Sequence, residues 1–300
     1  MKRIVFLFFI CIFLISCSKP QGEPIPLKIL NDQKTTDIVP EENTIKVAFA
    51  SVVSPQQTRI KYNLLIDYLE EKLDRPFHII QRQTYDEVNQ MIKAGEVDLA
   101  FICSLSYVIG NEQKYLEGIV VPQINGGDIY RSYIITHKNS DMEKFEDLEG
   151  KRFAFVDPYS YSGRLAVLDL LDRRGLSIDF FDEVFYTYSH DYSISAVSRG
   201  TVDAACVDSL LFDTLVTLEN EDVKNVKIIE YGAYTGISPI VVSNQIDPII
   251  KEEIKQTLLT LNESLDGSAI LQELGIDRYI PVDEKKYTPT KNLLHLLGDR

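Results

Sequence analysis

From Ile45 onward, apolar residues come in two alternating rhythms. IKVAFA, starting at Ile45, is a short continuous apolar run of the kind that forms a buried strand. Between Pro55 and Leu73, apolar residues recur at Ile60, Leu64, Leu65, Tyr68 and Leu69, which is helical spacing. FHII from Phe77 predicts the next strand. Thr84 to Lys93 predicts a helix opened by a threonine cap, and GEVDLAFIC predicts a third strand. Alternating strands and helices imply a mostly parallel sheet flanked by helices.

A second such series begins near Phe145. FEDLEGKRFAFVDP predicts a short helix, a glycine stop and a strand, and a helix follows from Tyr161. EVFYTY reads as a strand, HDYSISAVSRG as a helix and TVDAACVDS as another strand. The two series share wording. In AGEVDLAFICS and RGTVDAACVDS, Gly95 matches Gly200, Val97 matches Val202, Asp98 matches Asp203, Ala100 matches Ala205 and Ser104 matches Ser209. Any two α/β units look alike at this level, yet two lobes of similar plan are what a hinged binding protein has. The last third returns to strand at KIIEY and ISPIVVSN. It is then helical from Pro248 to Asn262, with two more helical stretches ending near Leu297.

The N-terminus changes the picture. Lys2 and Arg3 precede a wholly apolar run from Ile4 to Ile15, too short to span a bilayer and typical of a signal-peptide core. Leu14-Ile15-Ser16-Cys17 resembles a bacterial lipobox, which makes Cys17 the expected lipidated N-terminus of the mature chain. An ordinary signal peptide with an incidental cysteine is the alternative. Ser18 to about Asn43 is polar, proline-containing and weakly periodic, and reads as a tether lifting a domain off the membrane. The 300 residues carry a formal net charge of −14, two units more negative once Lys2 and Arg3 leave. An acidic chain without a basic stripe excludes nucleic acid as a partner. An anionic ligand has to be held by local donors against the overall field.

Candidate chemistry is sparse. Cys103 and Cys206 lie in apolar strand-like runs and read as buried free thiols, with a disulfide as the less favoured outcome. His78, His137, His190 and His295 are scattered, and there is no paired CxxC or HExxH, so no metal or other cofactor is expected. The stretch DPYSYSGRLAVLDLL, residues 157–171, puts Ser160, Tyr161, Ser162 and Gly163 at the mouth of a helix. First-turn amides lack intrahelical acceptors and sit at the positive end of the helix dipole. Serine hydroxyls add donors and a glycine permits close approach, which makes an oxyanion site; by itself, the same pattern reads more readily as a serine N-cap with no ligand.

The stretches VDLAFICSLSYV, YRSYIIT, DLEGKRFAFVDPYSYSGRLA, SHDYSISAVSRGTVDAACVDS and SPIVVS decide between these readings. In wording, order and spacing they resemble the phosphate/phosphite/phosphonate-binding proteins of ABC importers, within the type II periplasmic-binding-protein fold. The resemblance covers most of Ile45 to Ile280. It implies an α/β fold of two lobes, each a mixed, mostly parallel sheet flanked by helices, joined by two hinge strands. The expected division is residues 1–16 signal peptide, 17–43 lipidated cysteine and tether, 44–130 plus 235–300 the first lobe, and 131–234 the second.

The resemblance also implies a small tetrahedral oxyanion clamped between the lobes. Relatives usually carry Ser-Thr-Ser-Gly where this chain has Ser160-Tyr161-Ser162-Gly163. Tyr161 therefore either reshapes the pocket or turns away and serves through its amide. Arg164 could reach a phosphoryl group or lie in solvent. Tyr130 matches a cleft tyrosine near the hinge or packs there, His190 is a donor at a helix start or a capping or packing residue, and Asp208 is a cleft carboxylate at a strand end or the N-cap of the next helix. Ser104, Ser106 and Tyr107 would close over the ligand or cap a helix. Ser238 stands where an aminophosphonate binder has an acid, which weakens recognition of an ammonium group. The implied partners are a small oxyanion, an ABC permease with its ATPase, and a membrane reached through the lipid anchor. The expected protein is a monomer on the outer side of a bacterial membrane and not an enzyme. Two other uses are weighed: the same fold as a ligand sensor for a membrane signalling partner, and a hydrolytic triad of Ser160 or Ser162 with His190 and Asp208.

Overall fold

A computed structural model describes residues 43–50 and 55–298. The expected leader, Cys17 and the tether up to residue 42 lie outside them. The first lobe is built on strands β1 (Ile45–Phe49), β2 (Phe77–Gln81), β3 (Leu99–Phe101) and β4 (Leu116–Gln123). The second is built on β6 (Ser132–His137), β7 (Arg152–Phe155), β8 (Glu183–Tyr186), β9 (Ala204–Asp208) and β10 (Val226–Tyr231). The chain crosses between them twice, at β5 (Ile129–Tyr130) and β11 (Thr235–Gly236), and returns to the first sheet as β12 (Ile240–Ser243) and β13 (Arg278–Ile280). The strand orders are β13-β4-β12-β3-β1-β2 and β10-β6-β9-β7-β8, and β5 pairs antiparallel with β11 as the two-stranded hinge.

Both sheets are mixed, as expected, with most strands of each running one way. β1 pairs parallel with β2 and β3, and β7 with β8 and β9, but the other pairings in both sheets are antiparallel. Every antiparallel pairing in the two lobe sheets involves β4, β6, β10 or β12, the strands that flank the two crossings. β12 and β6 arrive from the other lobe without a helical crossover and insert antiparallel between β3 and β4 and between β9 and β10, whereas α3 and α6 connect those flanking strands and leave each pair running the same way.

Helices cover both faces of each sheet. They are α1 (Pro55–Leu73), α2 (Tyr85–Ala94), α3 (Ser104–Glu112), α4 (Ala166–Asp172), α5 (His190–Ser198), α6 (Ser209–Thr217), α7 (Pro248–Leu259), α8 (Leu265–Leu274) and α9 (Thr288–Asn292). Strand residues alternate between the faces. In the first lobe Val47, Phe49, Leu99 and Val242 pack with Leu65 and Leu69 of α1 and Leu258 of α7. Ala48, Ala100 and Val241 face Val88, Ile92 and Leu105 of α2 and α3. In the second lobe Phe153 and Phe155 pack on Val167 and Leu171 of α4, whereas Ala154 and Ala205 pack on Ile194 and Val197 of α5.

The internal repeat is structural. Gly95 and Gly200 both end helices in the left-handed conformation, with φ of 73° and 69°, which a residue with a side chain adopts at a cost. Asp98 clasps the start of β1: its amide donates to the Lys46 carbonyl at 2.9 Å and its carboxylate accepts from the Lys46 amide at 2.8 Å. Asp203 does the same at the start of β7, at 3.0 and 2.9 Å to Arg152. The expected serine caps shift by one residue, however. Cys103 and Asp208 are the N-caps, and Ser104 and Ser209 are the first helical residues. Both cysteines are buried and unbridged.

Candidate ligand-binding site

The turn from Asp157 to Gly163 leaves the C-terminal end of β7 and enters a one-turn π-helix, Tyr161–Leu165, that runs on into α4. Ser160 is the N-cap: its Oγ accepts from the Gly163 amide at 2.9 Å. A π-helical bond from the Leu165 amide to the Ser160 carbonyl closes the turn at 3.0 Å. The cap thus takes the third amide, and those of Tyr161 and Ser162 have no intrahelical acceptor. Ser132 Oγ donates to the Ser162 carbonyl at 2.5 Å and fixes the orientation of that peptide. Gly163 is required by packing against the protein itself. A Cβ there would lie 2.5 Å from Val156 Cβ and 2.8 Å from Ser160 Oγ.

Tyr161 is wholly buried, and its hydroxyl donates to the Ala233 carbonyl at 2.8 Å. Its ring stands edge-on to that of Tyr130, with centroids 6.0 Å apart. The side chain therefore points toward the hinge crossing, and the backbone amide is what Tyr161 offers the cleft. Burial raises its phenol well above the ordinary range. Arg164 neither reaches into the cleft nor is fully solvated. It is part-buried, bends back to donate from Nη1 to the Pro158 carbonyl at 3.1 Å, and leaves its buried Nε without a partner.

His190, the first residue of α5, is buried against the end of β9. Its Nδ1 accepts from the Asp208 amide at 3.0 Å. Burial pushes its pKa down to about 3, so the ring is neutral at neutral pH. With Nδ1 an acceptor, the single ring proton sits on Nε2, which makes His190 a neutral donor. Asp208 lines the cleft and caps α6, its Oδ1 accepting from the amides of Leu210 and Leu211 at 2.7 and 3.1 Å. This geometry is not that of a hydrolytic triad, in which Nδ1 carries a proton toward a carboxylate.

From the first lobe, Ser104 and Tyr130 share a hydroxyl–hydroxyl bond of 2.6 Å. Burial raises the Tyr130 phenol well above its ordinary range, with Asp208 the next cause. Ser106 stays local, its amide donating to Cys103 Sγ at 3.4 Å. Tyr107 points the other way, to Glu284. The lobes meet across the site through Asp157, whose carboxylate accepts the first amide of α2, Tyr85, at 3.1 Å, and through Cys103 Sγ, which donates to the Tyr159 carbonyl at 3.0 Å.

Tyr85 is the group that sequence reasoning missed. It is wholly buried, its hydroxyl has no partner, and Cys103, Asp157, Tyr130 and Asp208 all act electrostatically on it. An orphan hydroxyl between the two lobes is a donor awaiting an acceptor. A tyrosine directly after a threonine cap, where a small or acidic residue is usual, was its one trace in the sequence.

Tyr130 and Asp208 also line an interlobe cavity of about 150 Å³, to which Ser238 contributes; Ser104, Ser160–Gly163 and His190 lie outside its lining. The site so described is a closed cleft whose polar groups are mainly neutral donors: two amides, several hydroxyls and one imidazole N–H.

Residues 47–287 match the family described as the periplasmic substrate-binding protein of phosphonate ABC transporters. The chain belongs to this family. It is 30% identical over 184 residues to the phosphate-import protein PhnD of Mycolicibacterium smegmatis, a match covering 58% of this chain and 56% of that protein. It is 21% identical over 267 residues to the probable phosphite-binding protein PhnD1 of Prochlorococcus marinus, covering 80% of this chain and 90% of that one. The structure of PhnD1 in complex with methylphosphonate superposes with a TM-score of 0.77 at 20% identity, over 85% of this chain and 98% of that chain. A binding-protein component of a phosphonate transporter from Pseudomonas aeruginosa gives 0.78 at 18%, over 84% and 85%. These relatives are binding components of ABC importers, and the likeness confirms the two-lobed type II fold. Among the described residues no helix is long and apolar enough to cross a membrane.

Proposed function

We propose that this chain captures a phosphate-, phosphite- or phosphonate-type oxyanion between its lobes and presents it, closed, to an ABC permease and its ATPase. Cys17 would tether it to the outer side of a bacterial membrane as a monomer. The observation that carries the reading is the donor character of the cleft. The amides of Tyr161 and Ser162, the neutral His190 and the orphan hydroxyl of Tyr85 all offer hydrogens, as a phosphoryl group with its several acceptor oxygens requires. Ser160 serves by holding the turn, and Ser104 by orienting Tyr130. Closure of the hinge at β5 and β11 completes the shell and signals occupancy.

Calorimetric titration tests this. The protein is unfolded and refolded to strip carried-over ligand, then titrated with phosphate, phosphite, methylphosphonate and 2-aminoethylphosphonate, with sulfate as the control. Micromolar or tighter binding of one phosphorus oxyanion, weakened at least tenfold in Tyr85→Phe, is the expected result. No heat with any of them would defeat the proposal.

A further inference from the structure

The interlobe cavity is wrong for a bare oxyanion. Its described lining is dominated by Phe49, Phe101, Leu211, Leu274, Ile276 and Tyr279, with Leu210 contributed by the same helix as Leu211. Its hydroxyl-bearing lining residues are Tyr62, Tyr130, Thr214, Ser238 and Tyr279, and Asp208 is the one charged side chain among the described lining residues. Oδ1 of that carboxylate already caps α6. The first lobe supplies most of the wall, from its strands, the segments that follow them, α1 and α8, and α6 of the second lobe covers it, so the cavity is completed by the same closure that completes the oxyanion site. Tyr130 and Asp208 belong to both spaces. Tyr130 bonds Ser104 and faces Tyr161, and the Asp208 amide bonds His190.

We infer that the ligand is an organophosphonate with an apolar alkyl or aryl substituent of up to about benzene size, which fills this cavity while its phosphoryl group is held by the donors beside it. This rests on the oxyanion reading and narrows it. An apolar cavity of about 150 Å³ is the size that takes a benzene ring, and one lined in this way hydrates poorly. Phosphate or phosphite would close the lobes over an unfilled apolar space, losing the contacts that its walls could make. A substituent with an ammonium group would have to pair with a carboxylate whose Oδ1 already accepts two α6 amides, and would leave most of the apolar wall unmatched. An alkyl chain or a phenyl ring meets matching walls.

The test is a calorimetric series on the refolded protein with phosphate, methylphosphonate, n-butylphosphonate and phenylphosphonate. Each buried methylene is expected to tighten binding by about fourfold, so that the butyl compound binds roughly 50-fold tighter than the methyl one. Thr214→Phe places a ring at the mouth of the cavity from an exposed helix position. It should weaken butyl- and phenylphosphonate at least tenfold while costing methylphosphonate much less. Leu211→Phe reads the same way should that variant fail to fold. If phosphate or methylphosphonate binds as tightly as the longer compounds, the inference falls and the oxyanion reading stands. A loss in Thr214→Phe that is equal for all ligands would overturn the placement of the substituent. If no phosphorus oxyanion binds, both fall together.

Discussion

His190 makes stability depend on pH in a direction that can be worked out. Its imidazole has an ordinary pKa of 6.5 and is pushed down to about 3 by burial in the folded protein. The folded state therefore holds the ring neutral through a range in which the unfolded chain protonates it. The contribution is fully present above pH 6.5 and is lost as pH falls toward 3, because the unfolded state then binds the extra proton. Each unit below 6.5 removes about 1.4 kcal/mol. At pH 5 the loss is about 2 kcal/mol, or about 4–8 °C in Tm for a domain of this size. Buried carboxylates such as Asp157 and Asp169, whose pKa values burial raises, pull the opposite way, so the wild-type profile alone does not isolate the imidazole. The comparison is with His190→Gln, whose side-chain oxygen keeps an acceptor near the Asp208 amide but does not titrate. Urea unfolding of both proteins at pH 7.5, 6, 5 and 4.5 gives their stability difference. That difference should move against the wild type by about 2 kcal/mol between pH 7.5 and 5. A difference constant to within about 0.5 kcal/mol would show that the ring is not buried neutral, and the assignment of its Nε2 proton as a ligand donor would fall with it.

Two other substitutions separate the turn's architecture from its chemistry. Tyr161→Phe removes the hydroxyl from Ala233 but leaves the amide, so it should cost about 1 kcal/mol and a few degrees of Tm, with ligand affinity within about threefold; a tenfold loss at unchanged Tm would place the phenol on the ligand instead. Gly163→Ala forces a Cβ against Val156 and Ser160, so it should cost about 1–3 kcal/mol and weaken binding as the turn shifts, and a variant neutral in both thermal unfolding and titration would contradict the packing described.

What could be read in the sequence follows from what is local. The two glycine–strand units were legible because a left-handed helix end, a buried Val and a strand-opening Asp recur at fixed offsets, and each depends only on its neighbours. The start of α2 was legible because Thr84 and Glu87 form a reciprocal capping box. The insertion of β6 and β12 as reversed strands was not, since each owes its place to a crossing that no local pattern encodes. β4 itself, with Pro122 and a glycine inside it, has a weak strand signature. The Asp208 cap was legible as an alternative, because Asp is a favoured N-cap, whereas the Cys103 cap was placed one residue late, on Ser104. The role of Tyr85 and the direction of the Tyr161 ring are tertiary facts, set by what lies across the cleft and beside the hinge.

The replacement of the usual threonine by Tyr161 also bears on how an acidic protein can hold an anion. Its overall charge opposes the ligand, and the cation nearest the turn, Arg164, spends a donor on the Pro158 carbonyl. The amides, hydroxyls and imidazole of the cleft are neutral, so their worth depends on being aimed before the ligand arrives and on being sealed from water once it has. Each is held from behind. Ser132 fixes the Ser162 peptide, the Asp208 amide fixes His190, Ser104 fixes Tyr130, and Gly163 lets the turn lie against Val156. Tyr161 adds a brace to the hinge. By bonding Ala233, two residues before β11, it ties the turn to the second crossing, and by standing against Tyr130 it touches the first. A threonine in its place could offer the ligand a hydroxyl but could not span that distance. The substitution exchanges one direct donor for a mechanical link between the site of the anion and the hinge that closes over it.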